Sequence, residues 1–136
     1  MSLRPSRVLL IDDSPEDIEL ILEKIHPEEN DLLVEAVHSA EEGLVHVRRN
    51  DYDVVLCDFK LPGISGLTFI KLAMETRPNT PVVLLTGYGT EELEHRAERE
   101  SVYAFLRKPV ERELLQRIIQ DALAYRERLE LSSVRS

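Results

Sequence analysis

The sequence predicts an α/β fold in which helices cover both faces of a doubly wound, five-stranded parallel sheet. The 136 residues are enough for one domain with a sizeable core. Short apolar runs alternate with helical patterns along the chain, which is typical of successive β-α units. The runs are almost continuously aliphatic, as strands buried on both faces should be. The predicted strands are Val8–Ile11, Leu32–Val34 with Ala36–Val37, Val54–Cys57, Pro81–Leu85 and Val102–Leu106.

Start signals precede the first two predicted helices. Ser14 offers a capping hydroxyl before Pro15 at the first helical position, and apolar residues then recur at helical spacing as far as Ile25. Ser39 and Glu42 have the spacing of a capping box, in which side chains satisfy free N–H groups at a helix start. Helices are therefore predicted after the first and second strands.

The apolar patterns that predict the remaining three helices differ in strength. The third covers Leu67–Thr76, with apolar residues at helical spacing. The fourth runs from Thr90 to about Glu98, and its apolar face is thin. The last begins near Glu111 and keeps its apolar pattern through Leu129, which is long for the final helix of so small a domain.

The length of that last helix divides the chain into a predicted domain, residues 7–124, and a C-terminal extension, residues 125–136. The extension could cover the sheet and then fray. Alternatively, it could continue as a coiled-coil linker toward an output domain. The sequence leaves both alternatives open.

Composition excludes several classes of protein. The net charge of −9 argues against direct binding of nucleic acid, whose phosphates would be repelled. A single cysteine, Cys57, rules out an internal disulfide framework, and its apolar neighbours predict that the thiol is buried and inert. The apolar runs are too short to span a bilayer, so we expect no membrane association and a cytoplasmic location.

Chemically active residues follow four of the five predicted strands. In a doubly wound sheet, ligands bind beyond the carboxyl ends of the strands, and these ends share one edge. Three carboxylates, a hydroxyl and an ammonium group should therefore lie close together. They belong to Asp12–Asp13 after the first strand, Asp58 after the third, Thr86–Gly87 after the fourth and Lys108–Pro109 after the fifth.

The three carboxylates predict a metal site. Two unit charges about 4 Å apart repel by roughly 4 kcal/mol at an effective dielectric of about 20. Asp12, Asp13 and Asp58 with Lys108 sum to a charge of −2, which one divalent cation cancels. Mg²⁺ prefers oxygen ligands and binds through one or two carboxylates while keeping several waters, so it is the expected ion.

A carboxylate in such a site can also be a nucleophile that forms an aspartyl phosphate. Phosphoryl transfer requires positive charge and hydrogen-bond donors around three oxygens. Mg²⁺ could neutralise one oxygen and the Lys108 ammonium a second. The Thr86 hydroxyl and the Gly87 backbone could bind the third, with Asp58 as the acceptor.

Taken in order, these motifs resemble the receiver domains of two-component response regulators. The resemblance covers about residues 7–124, and each motif follows a predicted strand. It implies the flavodoxin-like strand order 2-1-3-4-5 with five helices. The matching residues are Asp12–Asp13, Asp58 with Leu61-Pro62-Gly63 and Gly66, Thr86–Gly87, and Lys108–Pro109.

The resemblance implies a phosphorylation site and its metal ligands. Asp58 would be phosphorylated by a histidine kinase, a phosphotransfer protein or a small phosphodonor. Asp13, Asp58 and the backbone carbonyl of Lys60 would bind Mg²⁺ directly, while Asp12 would act through water; Mn²⁺ could replace Mg²⁺.

The resemblance also implies a conformational switch. Thr86 and Lys108 would contact the phosphoryl group and draw the loop after the fourth strand inward. The peptide bond before Pro109 would be cis. The switch aromatic falls at Phe105, which lacks the hydroxyl of the commoner tyrosine and could equally be a core residue. Tyr103 is expected on the same side of the strand.

Lys60, Gly87 and Tyr88, near the phosphorylation site, are predicted to modulate it. Lys60 could place a second ammonium at the mouth of the pocket, and Tyr88, next to Gly87, could shield the phosphoryl group from water. Together they would slow hydrolysis of the phosphorylated aspartate. The alternative is that the Lys60 and Tyr88 side chains simply point into solvent.

We expect a signalling phosphoacceptor rather than an enzyme, one that controls an output domain or a target protein. A homodimer could form through the helix 4–strand 5–helix 5 face or the extended last helix. One rival is a Mg²⁺-dependent phosphatase with an aspartyl nucleophile, but Lys60 stands where such enzymes usually carry a second aspartate. Another is an interaction module that works without phosphorylation.

Overall fold

A computed structural model of the chain describes residues 4–87, 91–100 and 102–135. Within these residues, five strands alternate with five helices, and the strands run parallel in the order β2-β1-β3-β4-β5. The predicted flavodoxin-like fold is therefore confirmed. The elements are β1 (Ser6–Ile11), α1 (Pro15–Ile25), β2 (Leu32–Val37), α2 (Ala40–Arg49), β3 (Val54–Asp58), α3 (Gly66–Thr76), β4 (Val82–Thr86), α4 (Glu91–Arg99), β5 (Ala104–Arg107) and α5 (Arg112–Arg135).

Serine hydroxyls cap the first three helices. The hydroxyl of Ser14 accepts the backbone N–H of Asp17 at 3.3 Å, and that of Ser39 accepts the N–H of Glu42 at 3.1 Å, as the sequence predicted. Ser65 caps α3 in the same way. Each cap stabilises its helix by about 1 kcal/mol, because it satisfies an N–H that has no partner within the helix. The predicted start of α4 at Thr90 lies outside the described residues.

Two clusters of buried side chains fill the space between the sheet and its helices. Successive residues of a strand point to opposite faces, so Leu9 and Ile11 join one cluster while Leu10 joins the other. Phe69 of α3 is fully buried in the first cluster, and Leu115 of α5 in the second. Each fully buried aliphatic side chain contributes about 1.5–3 kcal/mol to folding, so the two-sided core fixes the sheet.

The expectation that Tyr103 and Phe105 share one side of the last strand is wrong. β5 begins at Ala104, two residues later than predicted, so Tyr103 lies in the bend before the strand and the alternation does not reach it. The Tyr103 ring packs against Tyr125 of α5, with 5.2 Å between ring centroids. Phe105 packs against the cluster on the opposite face of the sheet.

The last helix extends through Arg135, and the part of it after residue 124 contacts the rest of the domain. Arg126 is only 6% exposed. Its guanidinium group donates to the backbone carbonyl of Tyr52 and, at 2.7 Å, to the carboxylate of Asp51. Asp53 lies 3.3 Å away, and Glu130 accepts within the helix at 2.8 Å. Arg126 thus fastens the extension to the segment that precedes β3.

Across residues 4–87, 91–100 and 102–135, none of the helices combines the length and the apolar character that crossing a membrane requires.

Candidate functional site

The carboxyl ends of β1, β3, β4 and β5 meet at one edge of the sheet because all the strands run in the same direction. Asp12 directly follows β1, Asp58 is the last residue of β3, Thr86 is the last residue of β4 and Lys108 directly follows β5. Asp12 and Asp58 are buried, whereas Asp13 is exposed to solvent. The structure therefore brings the predicted carboxylates and the predicted ammonium group to one edge.

The three aspartates lie close enough to share one ion. Asp12, Asp13 and Asp58 each offer a carboxylate oxygen, and these three atoms lie within 4.8 Å of one another. At that separation two carboxylates repel by about 3 kcal/mol at an effective dielectric of about 20. A hard divalent cation with oxygen ligands would remove this repulsion, so the donor set fits an ion such as Mg²⁺.

The ammonium group of Lys108 contacts a carboxylate that sequence reasoning missed. Its Nζ atom lies 2.8 Å from Asp12 Oδ2, 2.9 Å from Asp17 Oδ2 and 3.6 Å from Asp58 Oδ2. Asp17 is in the first turn of α1, where an acidic residue ordinarily complements the helix dipole, so its sequence position carried no sign of this contact. With Asp13, four carboxylates and one ammonium group leave a charge of −3, rather than the expected −2.

The environment shifts the pKa values of both Asp58 and Lys108 upward. Burial is the largest cause of the raised pKa of Asp58, about 6, and the charges of Asp12 and Asp13 add to it. The Lys108 ammonium and the backbone N–H of Lys60 oppose that rise. Burial lowers the pKa of Lys108, but the hydrogen bonds to its carboxylate partners outweigh burial and raise it above the ordinary value. At pH 7 Asp58 is therefore mostly ionised beside a charged lysine.

An open cleft of about 430 Å³ gives access to the site. The exposed Lys60 lines this cleft, as does Gly87, where an added Cβ would meet no atom of the described residues within 4 Å apart from its chain neighbours. Thr86 has no exposed surface, so contact between its hydroxyl and a phosphoryl group would require movement of this segment. The Lys108–Pro109 peptide bond is cis, the form that the resemblance implies.

The structure describes two of the three remaining predicted residues, Phe105 and Cys57. Phe105 is half-buried, as both a core residue and a switch residue would be. Cys57 is fully buried, as predicted, and burial raises the pKa of its thiol. Tyr88 lies outside the described residues, so its predicted shielding role stays a prediction.

The family model for the response regulator receiver domain matches residues 8–120. The chain belongs to this family. The receiver domain is the phosphoacceptor of a two-component signalling system, and that is the function of this chain.

Individual relatives agree with this assignment. The chain is 30% identical over 123 residues to the transcriptional regulatory protein GlrR of Escherichia coli K12, covering 90% of the chain and 27% of that protein. It is 34% identical over 84 residues to a protein-glutamate methylesterase/protein-glutamine glutaminase of Anaeromyxobacter dehalogenans, covering 62% of the chain and 24% of that protein. A receiver domain protein from Clostridium thermocellum superposes with a TM-score of 0.82 at 29% identity, covering 91% of the chain and 98% of that structure. The chain spans about a quarter of the length of these curated relatives.

Proposed function

We propose that Asp58 of this receiver domain accepts the phosphoryl group and that Asp12, Asp13 and Asp58 hold Mg²⁺ during the reaction. The observation that supports this most strongly is the group of three carboxylate oxygens within 4.8 Å of one another beside the Lys108 ammonium. The backbone carbonyl of Lys60 is the further ligand that the family resemblance implies. Bound Mg²⁺ would supply positive charge to the phosphoryl oxygens.

The proposed reaction is a displacement at phosphorus. A carboxylate oxygen of Asp58 forms the new P–O bond while the bond to the donor breaks. That bond is P–N in a phosphohistidine and P–O in an acyl phosphate, and the leaving group takes the electron pair. Because the pKa of Asp58 is about 6, most of the carboxyl is ionised and nucleophilic at pH 7.

The phosphoryl group then adds negative charge beside Lys108. Lys108 and Thr86 are proposed to bind its oxygens, with Gly87 leaving space for the approach. Because Thr86 is fully buried, this contact would move the segment after β4. Phe105, on the neighbouring strand β5, would transmit the movement toward α4 by repacking.

Histidine kinases or phosphotransfer proteins are the proposed phosphodonors, and an output domain or separate target is the proposed recipient of the signal. Relatives named as a transcriptional regulator and as a methylesterase support an effector outside this chain. We propose a signalling phosphoacceptor whose only chemistry is self-catalysed transfer and hydrolysis. Dimerisation through the α4–β5–α5 face or through α5 and a cytoplasmic location remain predictions.

Mass spectrometry after incubation with acetyl phosphate and Mg²⁺ tests this proposal. We expect wild type to gain one phosphoryl group and Asp58→Asn to gain none. Asp53→Asn is the matched control, because it makes the same chemical change at the opposite end of β3 and should still be phosphorylated. Equal incorporation in wild type and Asp58→Asn would refute the assignment. Repeated turnover of a phosphomonoester would favour the phosphatase instead.

A further inference from the structure

Lys108 is held between carboxylates and is not yet bonded to the proposed acceptor. Its Nζ atom lies 2.8 Å from Asp12 and 2.9 Å from Asp17, both hydrogen-bond distances, but 3.6 Å from Asp58. An ammonium group has three donors, and two of them are used here away from the acceptor. One donor is therefore left for a phosphoryl group on Asp58, and the two bonded carboxylates hold the ammonium away from it.

One turn of backbone fixes both carboxylates that hold Lys108. Asp12 Oδ1 accepts the backbone N–H of Ser14 at 2.9 Å, and the Ser14 hydroxyl accepts the backbone N–H of Asp17 at 3.3 Å. The capped start of α1 thus places Asp17 Oδ2 within 2.9 Å of the Lys108 ammonium. The contact between Asp17 and Lys108 joins residues 91 positions apart in the chain.

Asp17 differs from Asp12 in one respect that decides its role. Asp12 belongs to the carboxylate group that fits a divalent cation, so a bound ion would neutralise its charge. Asp17 is not in that group, and its side chain is 39% exposed. Its negative charge therefore remains available to Lys108 when the three-aspartate group is occupied.

We propose that Asp17 is a positioning residue that competes with the phosphoryl group for the Lys108 ammonium and so restrains phosphorylation of the domain. The proposal rests on the proposed function of Asp58. In the unphosphorylated domain Asp17 holds Lys108 at 2.9 Å, and a phosphoryl group on Asp58 would draw the ammonium away from that contact. Asp17 also places a negative charge where an anionic phosphodonor must approach, since it lines the same cleft.

Asp17→Asn preserves the size of the side chain and removes its charge. Because partly exposed ion pairs are weak, we expect phosphorylation by acetyl phosphate at saturating Mg²⁺ to become about two- to fivefold faster. The gain should shrink toward unity at high salt, since salt screens partly exposed charges. A purely structural role in α1 would not produce this salt dependence.

Glu16→Gln is the matched control, because it removes one negative charge from the adjacent, exposed position of the same helical turn. We expect it to change the rate by much less than Asp17→Asn does. Equal acceleration by both variants would show a general charge effect and overturn the proposal. The proposal would also be overturned if wild type becomes phosphorylated and Asp17→Asn becomes phosphorylated no faster.

A double-mutant cycle gives a second measurement that does not depend on phosphorylation. Unfolding of wild type, Asp17→Asn, Lys108→Met and the double variant is compared in metal-free buffer. We expect a favourable coupling between residues 17 and 108 that exceeds the coupling between Glu16→Gln and Lys108→Met. Equal couplings would contradict the proposal. Failure of wild type to accept any phosphoryl group would instead refute the proposed function and this inference with it.

Discussion

Replacing the proposed phosphoacceptor should make the metal-free protein more stable. The pKa of Asp58 rises from 3.8 to about 6, chiefly because the carboxyl is buried. An acid whose pKa is higher in the folded state contributes stability that is fully present below its unfolded pKa. That stability is lost as the pH rises through the folded pKa, because the folded state then holds the unfavourable ionised form. A rise of about 2 pKa units means that the ionised carboxylate costs about 3 kcal/mol of folding free energy at pH 8.

Asp58→Asn removes this unfavourable charge while keeping a side chain of similar size. Because the new amide must still find hydrogen-bond partners, we expect a net gain of about 1–3 kcal/mol at pH 8 in EDTA. That gain corresponds to a rise in melting temperature of about 3–12 °C for a domain of this size. At pH 4 the wild-type carboxyl is mostly protonated when folded, so its cost falls to about 0.5 kcal/mol and the gain should largely disappear.

Urea or thermal unfolding at both pH values measures this difference. Asp53→Asn is a suitable control, because Asp53 accepts the backbone N–H of Arg7 at 2.7 Å and lies 3.3 Å from Arg126. We expect that control to lose stability, the opposite sign for the same chemical change. An Asp58→Asn protein that is less stable than wild type at pH 8 in EDTA would refute the electrostatic reasoning about the site.

Three other predictions use the same protein and simple assays. Mg²⁺ at about 100 times its dissociation constant should stabilise wild type by about 2.7 kcal/mol in a thermal-shift titration. Asp13→Asn should lose most of this gain, and an undiminished gain in that variant would contradict the proposed ligand set. Arg126→Leu should destabilise the domain by about 1–3 kcal/mol, because the buried Tyr52 carbonyl keeps only its bond from the Thr80 hydroxyl and the nearby carboxylates lose their cation. Arg128→Leu on the exposed face should change stability by less than about 0.5 kcal/mol, and similar losses in both variants would argue against the anchoring role. Lys60→Asn and Tyr88→Ala should each shorten the lifetime of the phosphorylated domain, followed by loss of the phosphoryl mass after donor removal, and unchanged lifetimes would remove the predicted shielding.

The strands and the carboxylate cluster could be predicted from the sequence because both depend on strong local patterns. A strand buried on both faces is aliphatic almost throughout, and Val54–Cys57 is such a run. Once the strands are parallel, the residues after them must share one edge of the sheet. The positions of Asp12, Asp58 and Lys108 therefore follow from the fold class alone.

The contacts that were missed join distant parts of the chain through side chains of ordinary sequence context. Asp17 resembles any acidic residue at a helix start, and only the packing of α1 against the segment after β5 brings it to Lys108. Arg126 stands in a charged stretch that is typical of a solvated helix, yet it is buried against residues that precede β3. Tyr103 was assigned the wrong side because the exact start of a strand is not encoded in its apolar pattern.

The most direct test of the central claim is to locate the phosphoryl group on the chain. Wild type is phosphorylated with acetyl phosphate and Mg²⁺, reduced with borohydride to convert an aspartyl phosphate into homoserine, and digested for tandem mass spectrometry. Our account predicts homoserine at position 58 and nowhere else. Homoserine at position 12 or 13, or its absence from a protein that has gained a phosphoryl group, would contradict it.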